Sequence, residues 1–162
     1  MPSSAALPLL SESQAEFIQR GLSIAVASRS ARLVPSLARS FVCSVDATRT
    51  GVRILLLPSR AADVLRDIDA CGLVAAVFVL PTSHETLQIK GADARVEPIV
   101  ESDLALAQRS REYLANDLSK AAMTGDYISQ ILDVDFAQSV AVRFTPSAVF
   151  LQTPGPGAGE AA

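Results

Sequence analysis

The most informative pattern of apolar and polar positions lies in residues 86–96, where the apolar phase changes partway along. Leu87 and Ile89 alternate with polar residues, whereas beyond Gly91 the apolar residues fall on the opposite phase. One extra residue at a glycine within a strand is typical of a β-bulge, and bulges bend sheets into barrels. The pattern therefore predicts a curved strand that passes through Gly91.

A polar row precedes Gly91 on this strand. Thr86, Gln88 and Lys90 occupy the positions between the apolar ones, so they share the opposite face of the strand. Their donors could hold a polar, planar ligand, or the row could face water. The sequence leaves both alternatives open.

Alternation and helical spacing elsewhere predict a mixed α and β chain. A capping box at Ser11 and Gln14 begins a short helix, Ser59 is placed to cap a second that ends at Gly72, and Ser102 begins a third. A further short helical segment is predicted at 127–132. Strands are predicted at 23–28, 33–45, 52–57, 73–80, 86–96 and 139–144. The prediction is an α+β fold in which six strands close into a small barrel with peripheral helices.

Composition favours one domain with a subunit interface. The 162 residues are 49% hydrophobic and only 19% charged, and the mean hydropathy is +0.32. A single domain over residues 1–153 accounts for this length. The Gly/Pro-rich residues 154–162 form a tail that is predicted to be flexible. The apolar excess suggests contact with another subunit.

Charge argues against two classes of partner. The net charge is −3 and lysine occurs only at Lys90 and Lys120, whereas nucleic-acid and anionic-membrane binding use clustered cations. The first ten residues lack a basic leader pattern, and no segment reaches the ~20 apolar residues of a membrane span. We therefore expect a cytoplasmic protein. Cys43 and Cys71 lie in no metal-binding motif, so they are interpreted as buried thiols and no metal site is predicted.

Arg60 is the residue that is hardest to explain without a ligand. A cation in the first turn of a helix opposes the helix dipole, and a bound phosphate reverses that effect because Ser59, Arg60 and free N–H groups would meet one anion. Arg39 lies in a strand of apolar and small residues and is a second candidate for a phosphate or interface contact. The alternative is that Ser59 only caps the helix and Arg60 faces solvent.

The remaining residues and motifs give little evidence for a particular reaction. His84 is the only histidine, so an imidazole base would have to be this residue, although a turn residue without a special role is the simpler interpretation. The GxSxG, HExxH and Walker patterns are absent, which argues against a hydrolase and against a nucleoside triphosphatase. The sequence assigns no catalytic residue.

The chain resembles the FMN-binding split β-barrel proteins related to pyridoxamine 5′-phosphate oxidase. The resemblance rests on Ser23–Ser28, on the Ser59-Arg60 pair and on Thr86–Gly91. It implies a six-stranded antiparallel split barrel, a homodimer with FMN bound between subunits, a phosphate contact at Ser59-Arg60 and a flavin lying close to Thr86–Gly91. Ala61 stands where the oxidase has a lysine, and the oxidase's C-terminal substrate segment is missing. The resemblance therefore implies a relative rather than the oxidase itself.

Three functional hypotheses follow. The first is an FMN-dependent oxidoreductase that passes electrons between NAD(P)H or a small organic donor and an acceptor, with FMN as cofactor. The second is a non-catalytic barrel that binds or senses haem, a deazaflavin or a flavin. The third is an interaction module without a ligand. The proposed cofactor-binding residues are Arg39, Ser59, Arg60, Thr86, Gln88 and Lys90.

Overall fold

The structure is a computed structural model that describes residues 9–162. These residues form four helices and nine strands. The helices are α1 (Glu12–Ile18), α2 (Pro58–Cys71), α3 (Glu101–Lys120) and α4 (Gly125–Leu132). The strands are β1 (Ser23–Arg29), β2 (Pro35–Ser40), β3 (Cys43–Val45), β4 (Val52–Leu56), β5 (Val74–Val79), β6 (Thr86–Gly91), β7 (Arg95–Pro98), β8 (Val140–Phe144) and β9 (Ala148–Leu151). A short 3₁₀ helix, Phe136–Gln138, precedes β8.

Two antiparallel sheets form the body of the fold. The five-stranded sheet has the order β2-β1-β5-β6-β9, and the four-stranded sheet has the order β3-β4-β8-β7. The predicted α+β class is confirmed. The predicted count of six strands is not, because the segments 33–45 and 86–96 each contain two strands that belong to different sheets, and β9 lies beyond the last predicted strand.

The feature predicted as a bulge at Gly91 is a corner between the two sheets. β6 ends at Gly91, and the chain turns before β7 joins the other sheet. A Cβ atom on Gly91 would lie 2.6 Å from Cδ2 of Phe144 and 3.0 Å from the carbonyl oxygen of Thr145. Glycine is required here because the backbone passes close to a buried ring. The apolar phase changes because the chain changes sheets, so the bulge interpretation was wrong.

A second corner divides the segment predicted as one long strand over 33–45. β2 ends at Ser40, and β3 begins after Phe41 and Val42. The Ser40 hydroxyl donates to the Leu55 carbonyl oxygen at 2.6 Å and accepts from the Val42 N–H at 3.2 Å. These bonds satisfy backbone groups where the chain leaves one ladder for the other.

The sequence predicted the start of α1 correctly but not the start of α2. The capping box of α1 is confirmed, since the Ser11 hydroxyl accepts from the Gln14 N–H and the Gln14 side chain accepts from the Ser11 N–H. Ser59 is not the cap of α2. Leu57 occupies that position, and Pro58 is the first helical residue. Proline suits the first position because it has no N–H to satisfy and its φ is already helical.

The four-stranded sheet has apolar clusters on both faces. Ile54 of β4 belongs to the main core, which joins both sheets with α1 and α2. Its neighbour Leu55 belongs to a second cluster, formed with Leu114 of α3 and Phe136. Each such buried side chain contributes about 1.5–3 kcal/mol. The second cluster therefore fixes α3 and the 3₁₀ helix beside the end of β2.

The C-terminal residues turn back along β9. The Leu151 N–H donates to the Glu160 carbonyl oxygen at 2.9 Å, and the Ala162 N–H donates to the Val149 carbonyl oxygen at 3.0 Å. The flexibility predicted for 154–162 and the domain limit at residue 153 stay predictions. Residues 1–8, which entered the expectation of a cytoplasmic protein, lie outside the described residues. Within 9–162, none of the helices combines the length and apolar character needed to cross a bilayer.

Candidate functional site

A cavity of about 700 Å³ opens between the edge strand β2, the first turn of α2 and the α3–α4 pair. We call it the β2–α4 cavity, and its polar lining includes Arg39, Arg60, His84 and Tyr127. Most of the other lining side chains are apolar, and none of the described lining residues is Asp, Glu or Lys. Its volume lies within the range of about 300–1,000 Å³ that is usual for ligand pockets. The cavity is therefore apolar with a positive rim.

A second hollow lies on the outer side of α3 and α4. It measures about 820 Å³ and is a broad groove open to solvent. Its lining sets Asp133 and Asp135 beside Arg111, so its charges oppose one another. The β2–α4 cavity is the better candidate because it is more enclosed and its described lining carries charge of one sign.

Arg39 is an exposed arginine on the edge strand. It lies between the buried residues Ala38 and Ser40, so its side chain points away from the core of the five-stranded sheet. It forms no ion pair with any residue in the part of the chain that the structure describes. Its guanidinium group is therefore available to an anion at the cavity rim.

Arg60 reaches from the first turn of α2 to the segment after α4. Its Nη2 atom donates to the carbonyl oxygen of Asp133 at 3.1 Å. This acceptor is a neutral carbonyl oxygen, which makes a weaker hydrogen bond than an anionic oxygen would. The bond ties the end of α4 to the positive rim of the cavity.

The start of α2 has fewer free N–H groups than the sequence suggested. Pro58 has no N–H, and the Arg60 N–H already donates to the Leu57 carbonyl oxygen at 2.9 Å. Ser59 is exposed and is not among the described lining residues of the cavity. An anion here would be held by the arginine side chains rather than by the helix backbone.

The polar row on β6 lies outside the lining of the β2–α4 cavity. Thr86, Gln88 and Lys90 face away from the core, whereas Leu87 and Ile89 between them are buried. The alternation predicted for this strand is confirmed. None of the three polar residues lies among the described lining residues of the cavity. Within one chain, five of the six proposed cofactor residues therefore divide between the cavity and β6, and Ser59 lies in neither place.

The row is partly occupied by contacts within the chain. The Thr86 hydroxyl donates to the His84 carbonyl oxygen at 2.8 Å, and the Lys90 ammonium lies 5.1 Å from the centre of the Phe150 ring. In the strand register Gln88 lies opposite Val77 of β5. The row belongs to a surface of small and apolar side chains that are half-exposed or, for Leu37, exposed. We call this surface the outer face: Ala25, Ala27, Leu37, Ala75, Val77 and Phe150.

His84 is held at the cavity by a turn that α3 anchors. It adopts a left-handed conformation at φ 61°, and its N–H donates to the Leu80 carbonyl oxygen at 2.9 Å. In the same turn the Thr82 hydroxyl and N–H donate to the Asp117 carboxylate at 2.6 and 3.2 Å. Asp117 thus fixes a turn whose histidine the sequence interpretation had set aside.

The cysteines offer no reactive or metal-binding centre. Cys43 and Cys71 are both free, the first buried and the second half-buried. Burial raises the pKa of the Cys43 thiol far above its usual range, so it stays protonated at neutral pH. Over residues 9–162, no group of three or more His, Cys, Asp or Glu residues could hold a metal ion.

The comparisons with known proteins show similarity to solved structures only. The sequence matches no protein-family model, and a search of curated proteins gives no match. Among solved structures it is similar to an F420 reductase, with TM-score 0.56 and 18% identity over 86% of this chain and 98% of that one. It is also similar to HupZ of Group A Streptococcus, with TM-score 0.56 and 12% identity over 93% and 99%. A third is a putative pyridoxamine 5′-phosphate oxidase of Lactobacillus delbrueckii, with TM-score 0.52 and 17% identity over 87% and 93%.

The chain has the split-barrel fold of the pyridoxamine 5′-phosphate oxidase-related proteins. The resemblance expected from the sequence is confirmed at the level of the fold. The β2–α4 cavity fits the cofactor that the resemblance implies, because two guanidinium groups without a nearby lining carboxylate suit a phosphate and the apolar walls suit a ring. The residues that would hold FMN there are Arg39 and Arg60.

Several cavity residues were not predicted from the sequence. Met123, Tyr127 and Phe136 come from α4 and its flanks, in a part of the chain where only a short helix was predicted. Their signal was weak because α4 reaches the cavity through long-range packing on α3. The four-residue spacing of Tyr127 and Ile131 on α4 is a local sign that these two cavity residues share a side of the helix.

Proposed function

We propose that this protein binds FMN in the β2–α4 cavity, with the phosphate at Arg39 and Arg60. One observation carries the proposal: two arginines from separate segments line one cavity of about 700 Å³ in which the described lining has no carboxylate. Both arginines are exposed at the rim, so their guanidinium groups can make charge-assisted hydrogen bonds with an anion. A phosphate dianion is such an anion.

The strength of the expected contact supports an anchoring role for both arginines. Hydrogen bonds to charged groups contribute about 1.5–3 kcal/mol each. Arg60 now donates to the neutral carbonyl oxygen of Asp133, and Arg39 has no described ion-pair partner. Binding of a phosphate would therefore require no ion pair to be broken.

We further propose that the bound FMN serves an oxidoreductase. FMN would accept electrons from NAD(P)H or a small organic donor and pass them to an acceptor. The protein's part is to anchor the phosphate, to surround the ring with apolar side chains and to exclude water. This division of labour suits a site whose described lining offers one histidine and no carboxylate.

The test is an FMN titration followed by fluorescence quenching and by the visible flavin band. Arg39→Ala and Arg60→Ala should each weaken FMN binding roughly 10-fold to 100-fold, as expected for the loss of one charged hydrogen bond. Arg60→Lys should retain part of the affinity because it keeps the charge. Arg32→Ala is the matched control, since Arg32 is exposed in the turn before β2 and is not among the described lining residues. Equal FMN affinity in all four variants and the wild type would reject the proposal.

The homodimer is proposed on the outer face. Its half-exposed Ala25, Ala75 and Val77 present small apolar side chains at the centre of the five-stranded sheet, and apolar surface of this kind favours association. Val77→Lys should then convert a dimer into a monomer in light scattering, whereas Ala31→Lys in an exposed turn should not. A wild-type monomer would exclude the dimer.

The two free cysteines support a reducing compartment, and we propose the cytoplasm.

The second candidate is a non-catalytic barrel that binds haem, a deazaflavin or a flavin. His84 favours it, because the chain's only histidine lines the cavity and imidazole is a common haem ligand. The F420 reductase similarity makes a deazaflavin a sensible probe. A steady-state assay with bound FMN separates the candidates, since sustained NAD(P)H oxidation excludes the non-catalytic one. A haem absorption band that His84→Ala abolishes would favour it.

A further inference from the structure

The side of α4 that faces the β2–α4 cavity carries an apolar stripe. Met123, Tyr127 and Ile131 recur every four residues and all line the cavity. Tyr127 is 48% exposed and Met123 is 42% exposed. Large apolar side chains on one helix side normally pack against a neighbour. Ile131 packs partly against the second cluster, whereas Met123, just before α4, and Tyr127 are exposed at the cavity.

Tyr127 is the aromatic side chain whose ring is left open. The other benzene rings of the described lining, Phe41 and Phe136, are buried and pack edge to face against each other with centroids 5.0 Å apart. The chain has no tryptophan and only two tyrosines, and the second, Tyr113 on α3, is not among the described lining residues. Among the described lining residues, Tyr127 therefore supplies the one benzene-type ring that is open to a planar ligand.

The hydrogen bond of Arg60 connects this wall to the positive rim. Arg60 donates to the carbonyl oxygen of Asp133, the residue that follows α4. The position of α4 and that of the guanidinium group are thus coupled. A ligand whose anionic end meets Arg60 would have its apolar part beside the α4 stripe.

We propose that Tyr127 packs its phenol ring against the isoalloxazine ring of the bound FMN and forms the aromatic wall of the site. This inference rests on the proposed function, since it needs FMN in the cavity. It adds a ring-positioning residue on α4, and it makes the ring contact separable from the phosphate contact at Arg39 and Arg60. Aromatic rings pack favourably in offset or edge-to-face arrangements.

The test uses the fluorescence lifetime of bound FMN. A phenol in contact with an excited flavin transfers one electron to it, and recombination returns the electron to the tyrosine, so emission is quenched without net chemistry. Phenylalanine packs similarly but does not donate. Tyr127→Phe should lengthen the lifetime and leave the FMN affinity unchanged, whereas Tyr127→Ala should weaken binding roughly 2-fold to 10-fold. Tyr113→Phe is the matched control and should change neither quantity.

The outcomes separate this inference from the proposed function. If FMN binds and Arg60→Ala weakens it, but Tyr127→Phe leaves the lifetime short, the inference is overturned while the FMN site stands. If wild-type protein neither quenches nor retains FMN, both are overturned. Circular dichroism of each variant shows whether it is folded. Tyr127→Phe keeps the aromatic ring of this α4 residue and removes only its hydroxyl group.

Discussion

Substitution of Gly91 by alanine tests why the chain changes sheets at this residue. The added Cβ would lie 2.6 Å from Cδ2 and 3.1 Å from Cγ of Phe144, and 3.0 Å from the Thr145 carbonyl oxygen. Phe144 is buried in the main core, so its ring cannot swing into solvent. Forcing one carbon into a packed core costs about 1–3 kcal/mol. We expect Gly91→Ala to lower the free energy of unfolding by that amount.

Urea denaturation measures this change, and a thermal scan checks it. A loss of 1 kcal/mol lowers the Tm by about 2–4 °C in a domain of this size. Gly125→Ala is the matched control, because no heavy atom lies within 4 Å of the corresponding Cβ position. Alanine is the better helix former, so this control should be neutral or slightly stabilising.

A double-mutant cycle identifies the cause of the loss. If close approach to the ring is responsible, Phe144→Leu should make Gly91→Ala less costly, and the two changes should couple. If Gly91 were needed for a bulge conformation, the two changes would be additive. A Gly91→Ala protein as stable as the wild type would refute the corner argument altogether.

Three further substitutions test polar contacts. Asp117→Ala should lower the free energy of unfolding by about 1–3 kcal/mol in urea titrations, because two donors of Thr82 lose their acceptor. Arg53→Met should cost about 3–5 kcal/mol by the same assay, since it leaves Asp103 nearly buried without its partner at 2.7 Å, and adding Asp103→Asn should restore part of the loss. For Asp93, partial burial raises the pKa, but hydrogen bonds from Thr145 outweigh it and the net pKa is lowered. Its contribution is therefore present above the unfolded pKa of about 3.9 and is lost as pH falls through the lower folded value, so the stability gap between wild type and Asp93→Asn should close below about pH 4.

Local patterns predicted the elements well and the corners badly. The capping box at Ser11 and the left-handed Gly72 depend on neighbours in sequence, and both are confirmed. The sheet changes at Gly91 and after Ser40 depend on which distant strand is adjacent, so alternation alone could not show them. Ser59 failed as a cap because Pro58 takes the first helical position and Leu57 the cap position, so the helix starts two residues earlier than predicted.

The candidate site shows the same division. Arg39 and Arg60 were identified from the sequence because a cation is unusual in a strand of apolar and small residues and in the first turn of a helix. Both line the β2–α4 cavity. Tyr127 was not predicted, and His84 was noted as the only histidine without being placed in the site. Tyr127 is an ordinary residue of a short helix, and His84 lies in a turn that Asp117 positions from far along the chain. Their places depend on tertiary packing that no local pattern encodes.

Arg39 lies where the β2–α4 cavity and the outer face meet. It lines the β2–α4 cavity, and its register partner Ala25 places it on the outer face proposed as the dimer interface. Gln88 lies on that face but not in the cavity, and Arg60 lines the cavity but does not lie on that face. If FMN lies between subunits, Arg39→Ala should weaken both dimerisation and FMN binding, whereas Arg60→Ala should weaken only FMN binding and Gln88→Ala should affect FMN only in the dimer. Light scattering and FMN titration on the same samples measure both effects. An Arg39→Ala protein that loses FMN affinity but dimerises normally would place the ligand within one subunit, and the polar row on β6 would then have no part in the site.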